Sequence, residues 1–264
     1  MTTRLVLIGG GRMGEALLGG LLTAGWAAPD ELAVVEVVAE RRAVLEERFP
    51  GVAILDAVAP ADAAVVAVKP NDVPEACAAL GGAGVARVLS IAAGVRIQTL
   101  EAALPDGVAV VRAMPNTPAL VGAGAAAIAG GSAASSADLD WAESILAAVG
   151  VVVRVEESLL DAVTGVSGSG PAYVFLFVEA LIEAGERAGL PHDVSAALAV
   201  QTLVGASRLL AQSTDSPADL RAAVTSPGGT TAAALRVLES AGWTRELVEA
   251  VEAATARSRE LGAG

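Results

Sequence analysis

The sequence predicts an α/β protein with an N-terminal domain of alternating strands and helices and an all-helical C-terminal domain. Short apolar runs, typical of buried parallel strands, alternate with helical patterns over residues 1–157. From residue 158 to residue 264 the strand patterns vanish and only helical patterns remain. We therefore expect two domains, 1–157 and 158–264, with a mainly parallel sheet in the first.

The first predicted strand, Leu5–Ile8, leads directly into a glycine-rich turn. Gly9, Gly11 and Gly14 have the G-x-G-x-x-G spacing, and a helical pattern follows them. Between a strand and a helix, these glycines permit a tight turn, close approach of a pyrophosphate, and close helix–strand packing. The helix N-terminus adds free N–H groups for the phosphates. The motif predicts a Rossmann-like dinucleotide-binding domain. The alternative is a helix packed close to a strand without a ligand.

The remaining elements follow from apolar periodicity and from turn residues. In the first domain, strands are predicted at 32–36, 52–55, 63–68, 88–91, 108–111, 123–129 and 151–155, and helices at 40–48, 72–80 and 136–149. In the second, helices are predicted at 159–164, 171–188, 194–211, 230–240 and 245–262. Ser167–Pro171 is predicted to break the first of these, Gly189 to end the second, and Ser216 with Pro217 to start a further helix.

Composition excludes several classes of function. The net charge of −13, without a basic patch, argues against a nucleic-acid partner and against an anionic membrane surface. One cysteine and one histidine allow neither an intrachain disulfide nor a Cys/His metal site, so we expect no metal. The apolar run Val121–Gly131 is too short to span a bilayer, and the first strand leaves no room for a signal peptide. We expect a cytoplasmic protein.

Glu36 ends the second predicted strand, 22 residues after Gly14. An acid at this place commonly accepts a hydrogen bond from the adenosine ribose, which favours NADH and repels the extra phosphate of NADPH. Arg41 and Arg42 follow within one helical turn and can reach that phosphate. The alternative for Glu36 is a solvated charge at a strand end.

Few other titratable groups are candidates for chemistry. Lys69 follows a strand whose carboxyl end should face the cofactor, where it is either a general acid or present only for its backbone. His192 lies at a helix start, where a surface or capping role is expected. Four breaks, at 90–94, 114–118, 167–173 and 226–231, combine Ser or Thr with Gly or Pro. They offer hydroxyls and backbone amides for binding but few titratable side chains. Such a site suits hydride transfer, because the cofactor carries the chemistry and the protein only binds and orients.

Together these motifs resemble those of the pyrroline-5-carboxylate reductase family. The resemblance covers nearly the whole chain in the right order, and its last two segments are the most specific. The matching segments are Ile8–Gly14, Ala67–Pro70, Ser90–Gly94, Arg112–Pro118, Val166–Tyr173 and Thr225–Thr231.

The resemblance implies an activity and an assembly. Family members reduce 1-pyrroline-5-carboxylate to L-proline with NADPH or NADH, in the last step of proline biosynthesis. Their helical domains interleave into a homodimer, and dimers often assemble further, commonly into decamers. The active site lies between the cofactor domain and the helical domain of the partner subunit.

The resemblance also implies site residues. The residues carried over as lining the cofactor are Ile8, Gly9, Gly10, Gly11, Arg12, Met13, Gly14, Glu36, Ala67, Val68, Lys69, Pro70, Ile91, Ala92 and Ala93. Those carried over as holding the substrate are Ser226, Gly228, Gly229, Thr230 and Thr231. Thr231 is placed near the ring nitrogen, and Thr231 and Lys69 are the candidate catalytic residues.

Two other functions compete with this reading. A 3-hydroxyacid dehydrogenase has the same general layout, but it uses a catalytic lysine on a long interdomain helix, and no lysine follows Ser158. A non-catalytic dinucleotide sensor would not need the 226–231 segment.

Overall fold

The computed structural model describes residues 3–262 and contains two compact units. The first unit runs to Ser169 and includes the chain again from Glu252, and the second is Gly170–Val251. This division by packing falls later in the chain than the predicted domain boundary after residue 157, which stays a prediction.

The first unit contains an eight-stranded sheet with the strand order β3-β2-β1-β4-β5-β6-β7-β8. All neighbouring strands are parallel except β6 and β7, which are antiparallel. This confirms the predicted α/β class. The strands are β1 Leu5–Ile8, β2 Leu32–Val35, β3 Ala53–Leu55, β4 Ala63–Val66, β5 Arg87–Ser90, β6 Ala109–Met114, β7 Gly124–Gly130 and β8 Gly150–Arg154.

Helices cover both faces of this sheet. They are α1 Arg12–Thr23, α2 Ala39–Arg48, α3 Val73–Gly81, α4 Ile97–Ala103, α5 Ser136–Leu146 and α6 Leu160–Val163. Leu5 and Leu7 belong to one apolar cluster with residues of α1, α2 and α5, whereas Val6 and Ile8 belong to a second with residues of α3, α4 and α6. Because both faces are covered, β1 is apolar at every position and fully buried. Burial of each such leucine contributes about 1.5–3 kcal/mol.

Helix α4 is absent from the sequence-based prediction. It has only seven residues, and no side chain caps it at Arg96. A short helix offers little periodicity, and without a capping residue next to it in the sequence its start is not marked. These two facts explain why the sequence pattern did not reveal α4.

The second unit contains helices and no described strand. They are α7 Gly170–Arg187, α8 His192–Gln212, α9 Pro217–Ala223, α10 Thr230–Ser240 and the first part of α11, Trp243–Leu261. The predicted stops and starts are confirmed. Gly189 has φ +99° after α7, and the Ser216 hydroxyl accepts the Asp219 N–H (3.2 Å) with Pro217 as the first helical residue of α9.

The predicted break at Ser167–Pro171 is reduced to one residue, Ser169, between two helical segments. Instead of ending, the helical chain widens into one π turn, Thr164–Gly168, and α7 then begins at Gly170. The Thr164 hydroxyl donates to the Leu160 carbonyl (2.9 Å), and the Ser167 hydroxyl donates to the Val163 carbonyl (3.1 Å). Such side-chain bonds to the preceding turn let Ser, Thr and Gly continue the helix with a local distortion.

The helices of the second unit leave large apolar surfaces exposed. Helix α7 has no buried residue, and α8 buries only Ser195 and Ala199. Phe175 and Leu176 are 61% and 66% exposed. Two helical stretches, Glu157–Arg187 and His192–Gln212, are long and apolar enough to cross a membrane by length and composition alone. Since large exposed apolar patches mark interaction sites, another surface must cover these helices.

We expect that surface to be a second copy of the chain. In detergent-free buffer at micromolar concentration, sedimentation should show at least a dimer, because an obligate interface buries such faces. Leu176→Glu should dissociate it. The matched control is Val151→Glu on β8, because Val151 is 68% exposed and lies in the first unit. A monomeric unsubstituted chain, or equal behaviour of both variants, would contradict this interface.

Candidate functional site

The glycine turn after β1 has the geometry that its spacing predicts. Gly9 has φ +107°, and a Cβ atom there would lie 2.7 Å from the Ala67 carbonyl oxygen. A Cβ atom on Gly14 would overlap the Gly9 carbonyl oxygen. At Gly11, by contrast, a Cβ atom would meet nothing within 4 Å. Gly9 and Gly14 are therefore required by the fold, whereas Gly11 leaves open space for a ligand.

This open space lies at the N-terminus of α1. Gly11 is the N-cap residue, with extended backbone and no side-chain cap. The N–H groups of the first helical turn have no carbonyl acceptor within the helix, so they are free for an anion. Arg12 and Met13 begin this turn. The arrangement fits the pyrophosphate of a dinucleotide.

Glu36 connects the glycine turn to the turn after β2. One carboxylate oxygen accepts the Gly10 N–H (3.0 Å), and the other accepts the Val38 N–H (2.9 Å). Arg41 adds a second connection, because its Nε donates to the Gly10 carbonyl (2.7 Å). Glu36 is thus held in place by two backbone donors, and each of its oxygens keeps capacity for a further donor.

The two arginines after Glu36 have different surroundings. Arg41 pairs with Glu15. Arg42 donates to the carbonyls of Glu36 (2.8 Å) and Val37 (3.0 Å), and among the described residues it pairs with no carboxylate. Arg42 is therefore the arginine whose charge is available to an anion beside Glu36.

The ends of β4 and β5 lie at the same edge of the sheet. The Ala67 N–H donates to the Ile8 carbonyl (2.8 Å), and the Ile91 N–H donates to the Val66 carbonyl (3.0 Å). The sheet order thus places the predicted cofactor residues of these loops beside the glycine turn. Parallel α/β sheets bind ligands at this edge, where the strand order reverses.

Lys69 is exposed at this edge and lines a cleft of about 890 Å³. It is the only lysine among the 264 residues. Ala93, Arg96 and Arg257 also line the cleft, and no carboxylate does. In a chain with a net charge of −13, this surface is locally suited to anions.

The predicted substrate residues lie in the second unit, at the start of α10. Gly228 has φ +70°, and the Gly229 N–H donates to the Ser226 carbonyl (3.0 Å). Gly229 is the N-cap residue of α10, and no side chain caps this helix. Thr230 and Thr231 therefore begin a second uncapped helix. The N–H groups of its first turn are suited to a carboxylate.

Other titratable groups do not form a catalytic set. Burial raises the pKa of the Cys77 thiol to about 11, so it is not a thiolate nucleophile near neutral pH. His192 is exposed and its Nδ1 lies 2.7 Å from Glu186 Oε1, which agrees with a surface role. Within residues 3–262, no group of three His, Cys, Asp or Glu side chains is arranged to hold a metal ion.

Full-length relatives identify the family. The chain is 45% identical to a pyrroline-5-carboxylate reductase of Synechocystis, over 99% of each protein, and 44% identical to that of Mycobacterium tuberculosis, over 98% of this chain and 96% of the relative. The chain belongs to the pyrroline-5-carboxylate reductase family.

Family models and solved structures agree with this assignment. The pyrroline-5-carboxylate reductase dimerisation model matches residues 157–261, and a model described as NADP oxidoreductase, coenzyme F420-dependent, matches residues 4–94. The Coxiella burnetii reductase has a TM-score of 0.93 at 36% identity and covers 99% of both chains. The Plasmodium falciparum enzyme, solved with NADP bound, has a TM-score of 0.84 at 30% identity and covers 98% of both. A prephenate dehydrogenase of Aquifex aeolicus, at 14% identity and a TM-score of 0.53, shares the fold alone.

Membership of the reductase family explains the exposed helices. The dimerisation match includes all of α7 and α8, whose apolar faces are uncovered in the single chain. The chain is therefore a homo-oligomeric protein, and the apolar length of these helices belongs to a subunit interface.

The structure also shows three polar residues to which sequence reasoning gave no role. Arg112 is buried and forms an ion pair with Glu157 (2.9 Å). Asn116 donates to the Ser167 carbonyl (3.0 Å) and accepts the Ala125 N–H (2.8 Å). An arginine within the apolar strand Ala109–Met114 is a recognisable signal for a buried partner, but the sequence alone does not identify that partner.

Proposed function

We propose that the protein catalyses the reduction of 1-pyrroline-5-carboxylate to L-proline with NADPH or NADH, the last step of proline biosynthesis. The observation that carries this proposal is identity of 40–45% to several pyrroline-5-carboxylate reductases over almost the full chain. The dinucleotide-binding edge of the first unit supports the use of a nicotinamide cofactor.

The residues of the glycine turn fit a dinucleotide. The open space at Gly11 and the uncapped start of α1 suit the pyrophosphate, and Glu36 with Arg42 suits the adenosine ribose. When bound, the reduced nicotinamide supplies the hydride. We propose as its binding residues the set named from the sequence: Ile8, Gly9, Gly10, Gly11, Arg12, Met13, Gly14, Glu36, Ala67, Val68, Lys69, Pro70, Ile91, Ala92 and Ala93.

The start of α10 is the proposed substrate site. The substrate has one carboxylate and one ring nitrogen. Next to the N-cap residue Gly229, the N–H groups of Thr230 and Thr231 with the Ser226 hydroxyl suit the carboxylate. Gly228 provides the left-handed turn that leads into this helix. The Thr231 hydroxyl is proposed to bond the ring nitrogen.

Two groups are proposed to act directly on the reaction. A protonated imine is already electrophilic, so orientation by Thr231 contributes more than strong acid catalysis would. Lys69 provides the single ε-amine of the chain at the edge where the nicotinamide is proposed to bind, and it is the candidate general acid.

The assembly and location complete the proposal. Residues 1–157 are proposed as the dinucleotide-binding domain and residues 158–264 as the dimerisation and substrate domain. Dimers are proposed to assemble further, with a decamer as the candidate, in the cytoplasm and without membrane or nucleic-acid partners.

The decisive test is turnover. Purified protein should oxidise NADH or NADPH, followed by absorbance, only when 1-pyrroline-5-carboxylate is added. A 3-hydroxy acid with the oxidised cofactors serves as the control and should give no reaction. Folded protein that turns over the imine with neither cofactor would refute the reductase function.

Cofactor preference should depend on the charges at residues 36 and 42. Glu36→Gln keeps one of the two acceptor oxygens and removes the negative charge. It should therefore raise the ratio of kcat/KM with NADPH to kcat/KM with NADH. The expected change corresponds to about 1–2 kcal/mol of transition-state free energy, the scale of one charged hydrogen bond. Arg42→Ala should lower this ratio.

Arg48→Ala is the control for cofactor preference, because Arg48 is an exposed arginine of the same helix that pairs with Glu15. It should leave the ratio unchanged. Equal ratios in all three variants would mean that this turn does not select the cofactor.

Thr231 is tested by removal and by rescue of its hydroxyl. Thr231→Ala should lower kcat/KM for the imine at least about tenfold, which is roughly 1.4 kcal/mol of transition-state stabilisation. Thr231→Ser should recover most of this loss, while the melting temperature and the cofactor Kd change little. Full activity of the alanine variant, or a loss explained by unfolding, would leave Thr231 as a purely structural residue.

A further inference from the structure

The loop between β5 and α4 has free amides at its centre. It contains the proposed cofactor residues Ile91–Ala93, and its Gly94 has φ +76°. Within residues 3–262, the N–H groups of Ala93 and Gly94 donate no hydrogen bond. The centre of this loop is thus available to a ligand, and its position depends on what holds its two ends.

The first end of the loop is held by the sheet. The Ile91 N–H donates to the Val66 carbonyl of β4 (3.0 Å), and the Ala92 N–H lies 3.4 Å from the Ser90 hydroxyl. Ile91 and Ala92 are buried. This end therefore moves only with the strands.

The second end is held by one carboxylate oxygen. Glu157 Oε1 accepts the Ile97 N–H (2.7 Å) at the start of α4 and also accepts an N–H from Arg112 Nη1 (2.9 Å). Helix α4 has no other side-chain cap. The only other described side-chain bond at this end joins Arg96 Nε to the Gly262 carbonyl (2.9 Å) and is exposed.

Arg112 fixes the place of this oxygen. Its side chain is 7% exposed, on a strand that neighbours β5, and Glu157 is its only carboxylate partner among the described residues. A buried guanidinium strongly requires its partner, because an unpaired buried charge is costly. The ion pair therefore holds Glu157, and Glu157 holds the start of α4.

We propose that Glu157 and Arg112 are positioning residues for the reductase site, acting through the loop at residues 91–97. The inference rests on the proposed function for its effect on catalysis. A displacement of a reacting group by about 1 Å costs up to about a hundredfold in rate. The ion pair with Glu157 thus gives a positioning role to Arg112, the first residue of the Arg112–Pro118 segment.

The test compares four variants. Glu157→Ala removes the acceptor. Arg112→Met combined with Glu157→Leu replaces the buried pair by apolar side chains, so it removes the acceptor without leaving an unpaired charge. Glu157→Gln keeps an oxygen in place. Glu143→Ala is the control, because Glu143 also pairs with an arginine, Arg154, on the surface of the same unit.

The first readout is the rate constant of a single turnover in stopped flow. It should fall at least about tenfold in the two variants that lack the acceptor and stay within about threefold in Glu157→Gln and in the control. Partial unfolding lowers only the amplitude and not the rate constant. Loss of amplitude alone in the double variant would overturn the catalytic role.

The second readout does not depend on activity. Hydrogen exchange of the segment 91–100 should accelerate in the two variants that lack the acceptor and not in the other two, while the segment 12–23 stays unchanged. Unchanged exchange of 91–100 in the double variant would overturn the positioning role. Absence of turnover by the unsubstituted protein would refute the proposed function instead, and the exchange result would still decide whether Glu157 holds the loop.

Discussion

The first unit depends on contact between helix α1 and the end of β1 without any side chain between them. A Cβ atom on Gly14 would overlap the Gly9 carbonyl oxygen. This close approach brings the start of α1 to the edge of the sheet, where the chain reverses its strand order between β1 and β4. The free N–H groups of the helix and the carboxyl ends of β4 and β5 thereby lie at the same edge of the sheet. A larger residue at position 14 would move the helix and all that it positions.

The two proposed binding regions also rely on backbone groups more than on side chains. Both begin at a glycine that starts an uncapped helix, Gly11 for α1 and Gly229 for α10. Backbone donors are fixed by the helix and do not titrate, so they hold anions over a wide pH range. Enzymes whose cofactor carries the reactive electrons can rely on such donors. This explains why the described residues contain no acid–base pair beside the cleft.

The sequence predicted the fold well because the strands of the sheet are short, largely apolar runs bounded by turn residues. All eight strands and the glycine turn follow from that pattern and from known turn chemistry, and Ser216 was identifiable as a cap. Helix α4 and the π turn were not predictable, since each depends in part on a partner distant in sequence. The π turn combines that partner with local bonds from the hydroxyls of Thr164 and Ser167. Glu157 caps α4 across 60 residues, and Asn116 bonds Ser167 across 51. The same limit applies to Arg112, whose partner only the fold reveals.

The exposed side chain of Lys69 has a practical consequence. A chain with seventeen basic residues has sixteen arginines and this one lysine. Amine-directed reagents therefore have a single side-chain target, apart from the terminal amine, and it lies at the edge of the proposed nicotinamide site. A fluorophore attached there would be a local probe of ligand arrival without any engineered cysteine. Lysine-directed immobilisation or cross-linking would, for the same reason, obstruct the functional edge.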